Sequence, residues 1–341
     1  MRRKPLIASC TFARPKCRWV APLLGEDRID WEFFRIHTER PRWQDWMGLP
    51  LYQRPLAAWR CSRFVKRYKP DLLITQEPTV SHFCARFCRL ARAPVDHVAF
   101  SFNFLSLPEG ARRESMRRAF ANVQTFVVYS KMEMMMYHNH FGIPLHRFDF
   151  VHWGVAEPNV TDASTPLMAG EYICALGVVN RDYGALLRVM QSLPLIRLVL
   201  AGNREVLRGL PIPKNVRVLC DLPFDDAMNI LNFSRFMVLP LAGVNVPSGH
   251  RTMVSSMQVA RAMVVTDSLG VRDYAFHESN ALLVQHGSDA ALREGIVRLW
   301  ENRSEADRLG RRGRQFASEH CTEAHTVRYL IDTLERRKLL G

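Results

Sequence analysis

The chain has 341 residues, 48% of them hydrophobic, and a formal net charge of +14. That length suggests two domains, and that apolar content can build their cores. No apolar run approaches the roughly 18 residues that span a bilayer, so a membrane-spanning helix is not expected, and the charge points to anionic partners: nucleotide phosphates, nucleic acid or an anionic membrane surface.

The basic N-terminus leads into an apolar run too short for a signal peptide, and Pro5 to Thr11 reads as the first strand. Trp31 to His37 alternates as a short strand, and an unpatterned, Trp-rich segment follows over 40–48. Residues 51–69 form a basic helix carrying Trp59, Phe64 and Tyr68. Such a helix is either an ordinary one with a solvated basic face or one that lies on a membrane interface. Next come a strand at Asp71 to Thr75, a helix at Thr79 to Arg92, and a strand from Val95 that runs into a loop at Asn103. Glu109 to Ala121 is a charged helix and Thr125 to Tyr129 a strand. Ser130 caps the next helix, with Glu133 at the N3 position of a capping box, and that helix ends near Phe141 and Gly142. Phe148 to Gly154 is extended. The eight cysteines are scattered without a Cys-x-x-Cys pair, which suggests a reducing cytoplasm, and Cys84 and Cys88, one helical turn apart, read as buried helix residues.

Residues 156–169, rich in Pro, Thr, Asp and Ser, read as a linker, and the alternation then restarts. Strands are expected at Tyr172 to Leu176, Ile196 to Ala201, Val216 to Cys220, Phe236 to Leu241, Ala262 to Thr266 and Ala281 to Val284. Helices are expected at Tyr183 to Gln191, Asp226 to Phe233, Asp289 to Glu301, Glu305 to His320 and Thr322 to Leu340. Strands alternating with helices imply parallel sheets covered on both faces. The class is α/β: two Rossmann-like αβα domains facing across a cleft. The N-terminal domain is placed at 1–155, the linker at 156–169 and the second domain at 170–320, with 321–341 a C-terminal helix packing back toward the first domain. Ligands of such sheets sit at the carboxyl ends of the strands, so the cleft between the halves is the expected site.

One stretch of the second half carries a chemical signal. After the strand at Phe236, the chain breaks at Ala242 to Pro247, and Ser248-Gly249-His250-Arg251-Thr252 opens a helix with Ser248 as N-cap. A helix start between two parallel strands offers free backbone N–H groups and the positive end of a dipole. That is an anion site suited to phosphate, with amides from 249–252 and the Thr252 hydroxyl as its cradle.

Several pieces, in order, resemble glycosyltransferases of the GT-B fold, closest to the family 4 type. Tyr172 to Gly177 followed by Asn180-Arg181-Asp182-Tyr183 resembles the strand, glycine and basic loop that meets a donor diphosphate. Leu198 to Asn203, Arg235 to Pro240, Ala262 to Tyr274, Asn280 to Val284 and Arg308 to Arg314 resemble the succeeding segments of that donor domain. In the first half, Val128 to Glu133 and Phe141 to Gly154 resemble the passage before the domain linker. The resemblance covers roughly 70–320 and rests on order and spacing rather than on one motif. The departures are specific. Pro247 and Ser255 stand where the family carries two glutamates, Arg261-Ala262 replaces its usual pair, Cys10 to Val20 contains no glycine, and Phe102-Asn103 stands where a histidine is often found, His97 coming earlier.

The resemblance implies a nucleotide-sugar glycosyltransferase that is metal-independent and retaining, needs no cofactor beyond its co-substrate, and acts in polysaccharide or glycoconjugate biosynthesis on a glycan or lipid-linked acceptor. The cysteine usage and the basic aromatic helix at 51–69, rather than the resemblance, lead to the expectation of a cytoplasmic chain peripheral on the inner face of the cell membrane. Gly177, Arg181, Ser248, Gly249, His250, Arg251 and Thr252 would hold the diphosphate, and no Asp-x-Asp motif offers a divalent ion a site. Asn203 and Cys220 lie at strand ends near the expected nucleobase and ribose. Ser101 and Asn103 are candidate catalytic or sugar-contacting groups, with Ser130 and Lys131 on the acceptor side, whereas His97 and Tyr274 read as structural. Two alternatives keep the fold: an epimerase or phosphorylase, the latter lacking a suitable cofactor lysine near the phosphate loop, and a degenerate nucleotide-sugar-binding or scaffold subunit, motivated by Pro247 and Ser255. Nucleic acid would use the charge, but no recognised module appears, so it is not the expected partner.

Overall fold

The computed structural model describes residues 3–12, 28–36, 53–160 and 165–340. The Trp-rich segment at 40–48, His37, Cys17 and part of the expected linker (161–164) lie outside the described residues. The chain divides into two compact units, Met1–Val151 with Val327–Gly341, and His152–Thr326.

The first unit is a six-stranded parallel sheet in the order β2-β1-β3-β4-β5-β6. Its strands are β1 (Leu6–Phe12), β2 (Asp30–Ile36), β3 (Leu72–Gln76), β4 (His97–Phe100), β5 (Thr125–Val128) and β6 (Phe148–Phe150). The crossover helices are α1 (Gln53–Tyr68), α2 (Pro78–Leu90), α3 (Gly110–Phe120) and α4 (Lys131–Phe141). Alternation along each strand divides the core between two faces. Ala8, Cys10 and Leu73 face Ala58, Cys61 and Val65 of α1 and Val80, Cys84 and Cys88 of α2. Their neighbours Ile7, Leu72 and Ile74 face the other way, onto Val327, Leu330 and Leu334. A sheet buried on both faces needs apolar residues in both alternations, which is why these strands read as continuous hydrophobic runs.

The second unit is also a six-stranded parallel sheet, ordered β12-β11-β10-β7-β8-β9. Its strands are β7 (Ile173–Leu176), β8 (Leu198–Gly202), β9 (Val216–Cys220), β10 (Phe236–Leu239), β11 (Ala262–Thr266) and β12 (Leu282–Val284). Around them lie α5 (Tyr183–Gln191), α6 (Phe224–Phe233), α7 (His250–Gln258), α8 (Asp289–Glu301) and α9 (Arg303–His320). A last helix, α10 (Glu323–Arg336), carries the Val327, Leu330 and Leu334 noted above. Residues at the end of the expected linker are anchored within the second unit. Asn229 of α6 accepts from Leu167 N at 2.9 Å and donates to Thr165 O at 2.9 Å, and Met168 joins the core. Helix α9 lies directly on the turn between α7 and β11. A Cβ on Gly310 would come within 2.1 Å of the Ala260 carbonyl oxygen, so only glycine permits this approach.

Candidate functional site

Strand order fixes where a ligand can bind in the second unit. Going outward from β7, the chain proceeds to β8 and β9 on one side and to β10, β11 and β12 on the other. The loops leaving β7 and β10 therefore part at the carboxyl edge and open a crevice between them, the usual ligand position in a doubly wound sheet.

Those two loops are stitched together by backbone and by one asparagine. Asp182 N donates to Pro240 O at 3.1 Å, and Ala242 N to Asn180 O at 3.1 Å. The Asn180 side chain donates to Gly243 O at 3.1 Å and to Ser248 Oγ at 2.9 Å. Asn180 holds φ of 55°, a left-handed conformation that asparagine tolerates better than most residues. Asp182 then caps α5, accepting from Ala185 N at 2.9 Å. The rigidity matters because the residue between Asn180 and Asp182 is Arg181.

The Arg181 guanidinium makes three hydrogen bonds, all to neutral acceptors. Nε donates to Leu176 O at 3.1 Å, Nη1 to Val179 O at 2.6 Å, and Nη2 to Thr252 Oγ1 at 3.2 Å. No carboxylate pairs with it among the described residues. Burial pushes its pKa below the usual arginine value, the sign of a charge held without a counterion. Room for it comes from Gly177, whose φ is 107°. A Cβ there would stand 2.7 Å from Arg181 Nη2.

Thr252 belongs to the start of α7. The first helical hydrogen bond runs from Met253 N to Gly249 O at 2.8 Å, so the N–H groups of His250, Arg251 and Thr252 have no helical acceptor. No acidic residue stands in the first turn, and none occurs anywhere from Pro240 to Gln258. The dipole end, the first-turn amides and Arg181 thus act in one direction, toward an anion. The expected N-cap is corrected. Gly249, at φ of 89°, is the cap, and Ser248 is buried and accepts from Asn180 instead.

His250 is also corrected. Its side chain is buried against the Tyr274 ring, 4.8 Å between centroids, with Nε2 placed 2.8 Å from Gly270 O. Burial lowers its pKa to about 4, so near neutral pH the imidazole is uncharged and only the backbone amide of His250 can reach an anion. Arg251 is exposed and stacks over Phe224 at 4.8 Å. Pro247 and Ser255 are both buried. Asn203 and Cys220 lie together at the ends of β8 and β9, where Gly202 pairs with Cys220, but the Asn203 side-chain oxygen is taken by Val206 N at 3.0 Å.

In the first unit, the candidate residues converge on a carboxylate that the sequence reading used only as a capping partner. Glu133 is fully buried. Oε1 accepts from Asn103 Nδ2 at 2.8 Å and from the Tyr137 hydroxyl at 3.0 Å. Oε2 accepts from the Ser130 hydroxyl at 3.0 Å and from Tyr129 N at 3.1 Å. The expected cap holds too, since Glu133 N donates to Ser130 Oγ at 3.3 Å. Burial raises the Glu133 carboxyl to about 7 against these four hydrogen bonds. Ser101, at φ of 52°, shares a 2.7 Å hydrogen bond with the Tyr129 hydroxyl, and Tyr137 accepts from Phe104 N at 3.0 Å. Ser101 and Asn103 are thus built into the support of the loop leaving β4. The Lys131 ammonium lies 5.7 Å from the Phe150 ring. His97 is buried, with Nε2 2.8 Å from Thr75 Oγ1. The local signal for the Glu133 cluster was Tyr137, one helical turn on, whose hydroxyl reaches the carboxylate.

No protein-family model matches the chain, and no curated protein matches it in sequence. Solved structures do. The chain is similar to a sucrose-phosphate synthase from Thermosynechococcus elongatus, with TM-score 0.70 and 14% identity over 98% of this chain and 99% of that one. It is similar to Anabaena HepE in complex with UDP-glucose, with TM-score 0.73 and 14% identity over 97% and 99%. It is also similar to a glycosyltransferase from Rickettsia africae, with TM-score 0.70 and 12% identity over 98% and 99%. At such identities the likeness is one of fold: two Rossmann-like units, the GT-B architecture.

Proposed function

We propose that the chain is a glycosyltransferase whose second unit binds the diphosphate of a nucleotide-sugar. The observation that carries this reading is the meeting of Arg181 with Thr252 at the N-terminal end of α7, at the point where the strand order reverses. Departure of a nucleoside diphosphate from the anomeric carbon develops negative charge on a phosphate oxygen. The amides of 250–252 and the Arg181 guanidinium would stabilise that charge without a metal ion. The structural neighbour in complex with UDP-glucose supports the same ligand class here. We read the reaction as retaining, and the acceptor as a glycan or lipid-linked glycan in polysaccharide or glycoconjugate synthesis at a membrane surface. Asn203 and Cys220 would lie toward the nucleobase, and the Asn103 and Ser130 region toward the acceptor.

The test is a panel of UDP-, GDP- and ADP-sugars. One should raise the melting temperature, and that one should release nucleoside diphosphate in the presence of membrane extract. No stabilisation by any nucleotide or nucleotide-sugar would overturn the donor site. A second reading, a nucleotide-sugar-binding protein without turnover, is favoured by the uncharged Pro247 and Ser255. Stabilisation without nucleotide release would select it.

Gly177→Ala is expected to weaken nucleotide-diphosphate binding about tenfold, because the new methyl displaces Arg181 Nη2 and the backbone conformation is strained. Isothermal titration checks this, and unchanged affinity would place the diphosphate away from Arg181.

A further inference from the structure

The first unit carries a charged surface that the donor site does not use. Helix α1 packs beside α2, burying Ala57, Ala58, Cys61 and Val65, so its opposite stripe is open. Leu56, Trp59, Arg60, Arg63, Lys66 and Arg67 are all exposed there, at helical spacing. Trp59 is 44% exposed, and Arg63 lies over its ring at 5.0 Å.

Two features distinguish this face from an ordinary solvated one. None of these four cations has a carboxylate partner among the described residues, and the two acids between Gln53 and Pro94 are already taken, Asp71 by Arg3 and Glu77 by Arg54. A surface of this kind repels itself unless something anionic covers it. In addition, the cations are interleaved with Leu56 and Trp59, which offer nothing to a phosphate but gain from entering an apolar boundary. Tryptophan in particular suits the headgroup level, with its ring buried and its N–H wet.

We propose that the outer face of α1 is the docking surface for an anionic phospholipid bilayer, with the cations on the headgroups and Leu56 and Trp59 at the acyl boundary. The four cations supply long-range attraction, each strengthening adsorption roughly fivefold near the surface. The shallow apolar contacts add depth without insertion, and no described helix is long and apolar enough to cross a membrane. This surface is independent of the donor site, and its test does not rest on that reading.

The experiment is co-sedimentation of the full chain with vesicles of phosphatidylcholine alone and with roughly one-third phosphatidylglycerol. Binding is expected to the anionic vesicles only, and to fall steeply as salt rises. The double variant R60E/K66E should bind at least about twentyfold more weakly, and Trp59→Ala a few-fold more weakly, both with unchanged melting temperature because these side chains are exposed. Equal binding to both vesicle types would overturn the proposal, as would none to the anionic ones or an undiminished double variant. So would tight binding to single-stranded RNA with no vesicle binding at the same salt, which would assign the face to nucleic acid.

Discussion

Replacing Arg181 with alanine is expected to lower kcat/KM for the nucleotide-sugar at least about a hundredfold, the scale of removing one preorganised donor from a developing charge. The size follows from how the guanidinium is held. Its Nε and Nη1 are spent on the carbonyls of Leu176 and Val179, which fix its plane, while Nη2 reaches the Thr252 hydroxyl at the helix start. The residue would therefore meet a diphosphate already oriented, with no carboxylate to displace. Arg181→Lys should recover little, because an ammonium cannot keep both carbonyls and also reach the anion. The apo protein should melt at about the same temperature or slightly higher, since a charge held without a counterion is a burden on the empty fold. The separation is the test. Loss of nucleotide affinity with an intact apo melt supports the site, and unchanged affinity in the Ala variant would mean that the diphosphate binds elsewhere.

The fold was legible because its signals are local. A parallel sheet covered on both faces demands continuous apolar strands, and Val216–Cys220 and Ala262–Thr266 stand at their expected bounds. Tyr183–Gln191 and Asp289–Glu301 likewise follow from apolar spacing and from the caps Asp182 and Ser288. The site was legible only in outline. Ser248 and Gly249 are both ordinary helix caps, and the choice between them turns on φ at Gly249 and on an asparagine 68 residues away that claims the serine hydroxyl. His250 carries its side chain into the core because Gly270 and Tyr274, from the loop after β11, wait there for it. The Glu133 cluster escaped for the same reason. Its capping role is local, whereas the bond to Asn103 crosses 30 residues and exists only once β4 and β5 have paired.

Glu133→Ala is expected to destabilise the protein by about 3 kcal/mol or more, because four donors would be left buried around the vacated carboxylate. The donors are the Asn103 amide, the Tyr137 and Ser130 hydroxyls and the Tyr129 backbone N–H, from the loop after β4 and from the start and second turn of α4. Glu133→Gln keeps the shape but turns one acceptor into an NH2 group facing two donors, so it should lose less, though still measurably. The pH dependence gives the sharper readout. Burial raises the carboxyl from its ordinary 4.5 to about 7, so folding favours the protonated form. The folded pKa is the higher one. The stability from this group is therefore fully present below about 4.5 and is lost as pH rises through 7, a swing of roughly 3 kcal/mol. His250, buried neutral with its pKa lowered to about 4, acts in the opposite sense: its contribution is present above its ordinary 6.5 and is lost as pH falls toward 4. Calorimetric melting of wild type and Glu133→Gln between pH 4.5 and 8 separates the two. The histidine's effect cancels in the difference, and what remains should be a wild-type advantage that shrinks as pH rises. A difference independent of pH would mean that Glu133 keeps its ordinary ionisation and that its four donors outweigh the burial.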